Sequence, residues 1–412
     1  MNDENDVGVA RRVQSSIGSL ALFIDGFAEF LGQEGYTCRT AEDKCSLVAH
    51  LGRWLDRQEA THDRLDEELL DLFHASLQRP GYVRHGDVAT GRLLLRYLRG
   101  LGCIPTPSLK TDRSPVDEIV GDFGRFLSSE RGLAPATLIN YLPIVRNLLV
   151  GRFGKGVVRF SDLQPLDIHR FVLRYAQATS RRRAQLAVTA LRSFLRYLRQ
   201  RGEIATDLAG AVPGVASWSL TGLPKFLPAC QVEHLLAACD RATPVGKRDY
   251  AILLLLARLG LRAGEVVALA LDDLDWENGD IIVRGKGKRL ARLPLPLDVG
   301  AALVEYLRDV RPACLTRRTF VRMRAPLRGF AGSAAIDCVV CRALKRVGLA
   351  PHLKGAHLLR HSLATDLLRH GASLTEIGQL LRHGQPNTTQ IYAKVDIESL
   401  RGIAMVWPGG AS

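Results

Sequence analysis

Six polar side chains in the C-terminal half of the chain, Arg262, Lys286, His357, Arg360, His383 and Tyr392, fall at the ends of apolar segments or in the turns between them. Three histidines and two arginines crowd into one run of fifteen residues, "HLLRHSLATDLLRHG" (357–371), more than a core helix needs. These residue types suit chemistry on a phosphodiester. A guanidinium is planar, stays protonated and bonds two phosphate oxygens, so a pair of arginines offsets the charge that repels a nucleophile and steadies the more highly charged transition state. A tyrosine hydroxyl, which titrates near about 10, attacks readily only where its proton is accepted or its anion stabilised by cations. Singly, each residue has an ordinary structural use too: Arg262 suits a helix carboxyl end, Lys286 a solvated turn, His383 and Tyr392 half-buried packing.

Their order and spacing say more. Arg262 stands in "LGLRAGE", Lys286 in "RGKGK", His357 and Arg360 in "HLLRH", His383 in "LRH" and Tyr392 in "TTQIYAKV", with steps of 24 residues from Arg262 to Lys286, 23 from Arg360 to His383 and 9 from His383 to Tyr392. This ordered set resembles the tyrosine recombinase (phage integrase) family, firmly over about residues 225 to 400, loosely over 112 to 207, and hardly at all before 110. The resemblance implies Arg262 and Arg360 as the phosphate clamp and Tyr392 as the nucleophile, forming a 3′-phosphotyrosyl intermediate and freeing a 5′-hydroxyl. It gives Lys286 as the acid for the leaving oxygen, His357 as the base-like partner of Tyr392, and His383 as a phosphate ligand. Because the bond energy is kept in the protein linkage, neither ATP nor a metal is implied; no cofactor is expected. Glu265, three residues after Arg262 on the same helical face, is placed to orient it. His361 and His370 are assigned to packing or DNA contact. One departure is visible: the family usually has glycine before the third-motif histidine, and this chain has Arg382.

These residues need elements to hold them. Helical patterns run from Gln231 and from Lys247 to Arg258, and two β-rich runs flank "GKGK" as a hairpin, with Gly285 and Gly287 expected to take the unusual backbone angles. Helices return from Ala301; Gly371 reads as a helix stop and Ser373, with Glu376 three residues on, as the next helix start.

The N-terminal half repeats itself. "FAEFLGQEG" from Phe27 answers "FGRFLSSERG" from Phe123 at an offset of 96, and "LLRYLRGLGCI" from Leu94 answers "FLRYLRQRGEI" from Phe194 at 100. Residues 15–105 and 112–207 therefore read as two copies of one small helical domain. The predicted organisation is an additional helical domain over 1–110, a helical core-binding (SAM-like) domain over 111–210, a Pro/Gly-rich linker over 211–228 and a catalytic domain over 229–412. The fold class is mainly α with a small antiparallel β-hairpin or sheet.

Charge and composition agree with this reading. The 56 Lys and Arg against 42 Asp and Glu give a formal charge of +14, a balance that most often serves a polyanion. In the second copy Arg181, Arg182 and Arg183, then Arg192, Arg196 and Arg199 on one helical face, are candidate phosphate contacts. Arg92, Arg96 and Arg99 stand opposite the last three in the first copy, which is read as a further DNA clamp in preference to a protein-binding module. The longest apolar run, "AILLLLARLGL", falls well short of the roughly 20 residues of a membrane span, and the polar, acidic opening of the chain lacks the plan of a secretory signal, so a cytoplasmic protein is expected. The lone CxxC at Cys338 and Cys341 lacks the second pair a zinc site needs.

The resemblance thus implies a site-specific recombinase of a mobile element, an integrase or transposase, that works as a tetramer on two paired double-stranded DNA sites, with or without a companion recombinase. A comparable C-terminal tail in relatives docks on the neighbouring subunit, which places Ile403, Met405 and Trp407 in such a contact. The alternatives are a type IB topoisomerase-like enzyme and a DNA-binding regulator on an inactive integrase scaffold.

Overall fold

A computed structural model describes residues 19–77, 85–105, 114–154, 156–216, 224–285, 289–349, 355–383 and 389–395. The chain divides into two compact units, one of residues 106–221 and one formed by 1–105 together with 222–412.

The N-terminal part carries helices α1 (Ala21–Gln33), α2 (Cys38–Arg57), α3 (Glu67–Ser76) and α4 (His85–Gly100). Thr37 and Asp66 start α2 and α3 by accepting the backbone N–H groups of Thr40 and Leu69. The apolar stripes meet in a core that includes Phe27, Leu31, Leu51, Leu55, Leu94 and Leu98. The 106–221 unit repeats the plan with α5 (Pro115–Ser129), α6 (Pro135–Phe153), α7 (Pro165–Ala178) and α8 (Arg181–Gln200). Three of these open on proline, whose fixed φ and missing N–H suit the first helical position, and Ser114 and Ser180 cap α5 and α8.

Each set of four helices holds the same three rings. Phe27 and Phe30 stack at 6.1 Å, with Tyr97 tilted against them at 5.6 and 5.4 Å. Phe123 and Phe126 stack at 6.4 Å, with Tyr197 at 5.4 and 4.9 Å. Packing reaches into both ends of the linker expected over 211–228: Val212 belongs to the core of the 106–221 unit and Leu227 to that of the catalytic region.

The catalytic region comprises α9 (Ala229–Ala237), α10 (Pro244–Arg258), α11 (Ala263–Ala268), strands β1 (Leu274–Asp275), β2 (Asp280–Arg284) and β3 (Leu290–Pro294), α12 (Leu297–Asp309), α13 (Ser333–Arg346), α14 (His357–Arg369), α15 (Leu374–Leu380) and a 3-10 turn, Gln390–Val395. Helix α10 is the central post: Ala251 to Ala257 are all buried, which explains why its apolar pattern runs around the helix rather than along one stripe. The strands form an antiparallel sheet in the order β1-β2-β3, with Ile281 facing Leu274 and Leu293. The hairpin is where the sequence puts it, but Gly285 does not take the expected left-handed angle, and Gly287 lies outside the described residues. Gly371 ends α14 at φ 90°, and Ser373 and Glu376 form the reciprocal cap of α15. Within this unit the N-terminal helices touch the catalytic region where the Leu327 N–H donates to the Glu34 carbonyl at 2.8 Å. Gly35, at φ 82°, leaves no room there for a side chain: a Cβ would sit 2.2 Å from Leu327. Among the described residues no helix is long and apolar enough to cross a membrane.

Candidate active site

The site forms where three chain turns converge. Helix α10 ends at Arg258, and Gly260, at φ 56°, swings the chain so that Arg262 opens α11. Glu265, one turn in and 5% exposed, accepts the Arg262 backbone N–H through Oε2 at 2.8 Å and its Nη1 through Oε1 at 2.7 Å. Burial works to raise the Glu265 carboxyl, yet the Arg262 backbone bond, the Arg382 charge and the Arg262 guanidinium prevail and hold it below its ordinary value. The orienting contact read for Glu265 is thus present.

Arg360 lies one turn into α14 and is 3% exposed. Its guanidinium donates to the carbonyls of Gly260 and Leu381, pinning α14 to the other two turns. Burial, then repulsion from Arg262 and Arg382, lowers it to about 10, so it remains a cation at neutral pH.

Tyr392 sits on the 3-10 turn, 1% exposed, in a small core with Ala364, Ile377 and Leu381. Its Oη lies 2.8 Å from Nδ1 of His361, and its ring is parallel to that of His383, 6.5 Å away. His383 Nδ1 meets the Thr389 hydroxyl at 2.7 Å. Burial pushes Tyr392 up to about 12 against the pull of Arg360. Burial, reinforced by neighbouring charges, lowers His361 and His383 to about 4, so both imidazoles are neutral near pH 7. A buried phenol, a neutral imidazole in contact with it and the nearby guanidiniums have the chemistry to serve as a nucleophile, a proton acceptor and an anion clamp.

The imidazole in contact with Tyr392 is that of His361, assigned from sequence to packing or DNA contact. His357 is exposed at the first position of α14, its ring 6.2 Å from that of His361. The pattern "HLLRH" contains the signal, since positions 357 and 361 share a helical face, but sequence does not say which of the two a distant tyrosine reaches. Arg382, the departure from the family pattern, has a partner inside the site. It occupies the left-handed region at φ 54°, and its Nη2 donates to Glu265 Oε2 at 3.0 Å. Lys286 lies outside the described residues, as do Ile403, Met405 and Trp407.

In the 106–221 unit Arg181, Arg182 and Arg183 are exposed on the first turn of α8, and Arg196 is exposed further along. Arg192 instead turns inward to the Val212 carbonyl at 2.9 Å, and Arg199 pairs with Asp207 at 3.4 Å. The expected face of three guanidiniums is therefore partly engaged within the unit itself.

Residues 225–399 match the Phage integrase family, and residues 120–202 match the Phage integrase, N-terminal SAM-like domain. An integrase/recombinase of Sinorhizobium fredii, y4rA, is 44% identical over 401 residues, covering 96% of each chain. The tyrosine recombinase XerD of Listeria monocytogenes serotype 4b is 33% identical over 287 residues, 68% of this chain and 95% of its own. The chain belongs to the phage integrase family of tyrosine recombinases. Its fold agrees with that of XerH site-specific recombinase bound to a palindromic difH substrate, with a TM-score of 0.56 at 22% identity over 76% of this chain and 93% of that one. It agrees also with a lambda integrase tetramer bound to a Holliday junction, with a TM-score of 0.52 at 19% identity over 76% of this chain and 87% of that one. This recombinase is accordingly an enzyme of site-specific DNA strand breakage and rejoining, and its mainly helical fold with a small antiparallel sheet is the family's.

Proposed function

We propose that the recombinase cuts double-stranded DNA through Tyr392. The observation that carries this reading is the 2.8 Å contact of Tyr392 Oη with neutral His361, beside the buried Arg360. With the imidazole proton on Nε2, His361 Nδ1 takes the hydroxyl proton as Oη bonds to phosphorus; the bond from phosphorus to the 5′-oxygen breaks, and that oxygen leaves as a hydroxyl after taking a proton from Lys286. Attack by a 5′-hydroxyl of a second strand reverses the step and completes exchange. Arg262 and Arg360 hold the non-bridging oxygens, with His357 and His383 at the rim of the same anion.

The work is done by a tetramer on two paired DNA sites in the cytoplasm, and the DNA moved is a mobile element, with integration, excision or transposition as the outcome; a companion recombinase shares the work where the two sites differ. Support for the element role comes from the similarity to y4rA, an integrase/recombinase, which extends over 96% of this chain against 68% for XerD. Residues 1–110 are a duplicate of the core-binding domain at 111–210; the matching ring triads at Phe27, Phe30, Tyr97 and Phe123, Phe126, Tyr197 support that descent.

The test mixes wild-type and Tyr392→Phe protein with labelled duplex spanning the ends of the DNA segment that encodes it. A protein adduct resistant to SDS is expected with wild type alone. An adduct with both moves the nucleophile elsewhere.

A further inference from the structure

Arg382 is held against its own backbone preference. Its φ of 54° is one glycine takes freely and an arginine avoids, and among the described residues outside glycine only Glu59 shares the region. The side chain is 12% exposed and does not reach into solvent. Its Nη1 donates to the Leu380 carbonyl at 3.2 Å and its Nη2 to Glu265 Oε2 at 3.0 Å, while its Nε is buried with no partner. Its own carbonyl accepts Arg262 Nη2 at 3.2 Å. Arg382 and Arg262 therefore share one buried carboxylate across 120 residues of sequence.

The sharing bears on the charge available to a phosphate. One carboxylate against one guanidinium would leave Arg262 formally neutralised. One carboxylate against two leaves a net cation in the trio, to which Arg360 adds another. The more charged transition state gains most from that excess, because the groups are fixed in place and largely shielded from water. We infer that Arg382 is a positioning residue for DNA cleavage: it binds the second oxygen of Glu265 and so keeps the positive charge of Arg262 free for the scissile phosphate. This rests on the reading of Arg262 as part of the phosphate clamp.

The experiment uses the full chain and a duplex on which the wild type forms the covalent adduct; the wild-type and Tyr392→Phe proteins, run alongside, report on the cleavage reading itself. Arg382→Gly removes the side chain and relieves the backbone, and Arg382→Asn, also tolerant of positive φ, checks that added flexibility is not the cause. Both are expected to unfold no more easily than wild type and to bind the duplex with unchanged affinity, yet to form the adduct about 10-fold more slowly in a single turnover. Arg382→Lys should recover part of the rate. In a Glu265→Gln background, where no carboxylate remains to be balanced, Arg382→Gly should change the rate by less than about 2-fold. Wild-type rates in the Gly and Asn variants would overturn the inference. So would an equal loss in both backgrounds, or a loss of DNA affinity that marks a direct DNA contact.

Discussion

At the residue scale the site is arranged for a reaction that waits for its substrate. Tyr392 is pushed up to about 12 and its partner His361 is held near 4, so proton transfer between them is strongly uphill by itself and proceeds only as the phenol oxygen bonds to phosphorus. Replacing His361 by alanine removes the acceptor and leaves the cations, so adduct formation should slow by about 10² to 10⁴ with DNA binding retained, read in a single turnover. His357→Ala should do less to the Tyr392 proton, because that ring is exposed and the imidazole in contact with the phenol oxygen is that of His361. The same histidines give a stability signature. Both fall from 6.5 in the free side chain to about 4 in the fold, so between those pH values the unfolded chain binds protons that the folded chain refuses. Their contribution is complete above about pH 6.5 and is lost as the pH falls toward 4; the urea midpoint should drop through that window, and less steeply in the His361→Ala protein. Sequence displayed the residues of this arrangement but not their pairing: "HLLRH" offers two histidines on one face, and the choice is made by the 3-10 turn that brings Tyr392 in 31 residues later.

At the element scale three short turns, 260–262, 381–383 and 390–395, do the positioning, and helices α10, α14 and α15 set their distances. Gly260 is the joint. It combines φ 56° with a carbonyl that accepts from Arg360, and a Cβ there would lie 2.6 Å from Leu381 Cδ2 and 3.1 Å from Leu363 Cδ2. Gly260→Ala should therefore cost about 2 to 4 kcal/mol, combining left-handed strain with overpacking, and should shift Arg262 and Arg360 together. Denaturant unfolding reads the first effect, and a fall in cleavage larger than any change in DNA affinity reads the second. Much at this scale was legible. Gly371 and Ser373 announce the break between α14 and α15, the β-rich runs announce the hairpin, and the offsets of 96 and 100 anticipate the matched ring triads. Strand β1 was not legible, because two residues carry no periodicity, and Arg382 was not, because its partner Glu265 lies 117 residues away.

At the scale of the whole molecule the positive charge is unevenly spread, and the unevenness separates the two similar helical modules. Residues 106–221 hold 17 Lys and Arg against 9 Asp and Glu, whereas residues 1–105 hold 12 against 16. The arginines that sequence sets opposite each other also differ in their surroundings. Arg96 pairs with Glu34 and Arg99 with Glu67, each at 2.9 Å, while Arg181, Arg182 and Arg183 stand exposed at the start of α8. A shared fold with opposite charge sets the two expectations for the N-terminal module, a second DNA clamp or a protein-binding module, against each other. Salt dependence tests the division directly, since each phosphate contact contributes about 0.9 to the slope of log affinity against log salt concentration. Reversing Arg181, Arg182 and Arg183 to glutamate in the full chain should weaken duplex binding and flatten that slope by up to about 3. Reversing Arg92 alone, which like Arg96 is exposed, should leave the slope unchanged; a drop of about 1 would support the N-terminal module as a DNA clamp.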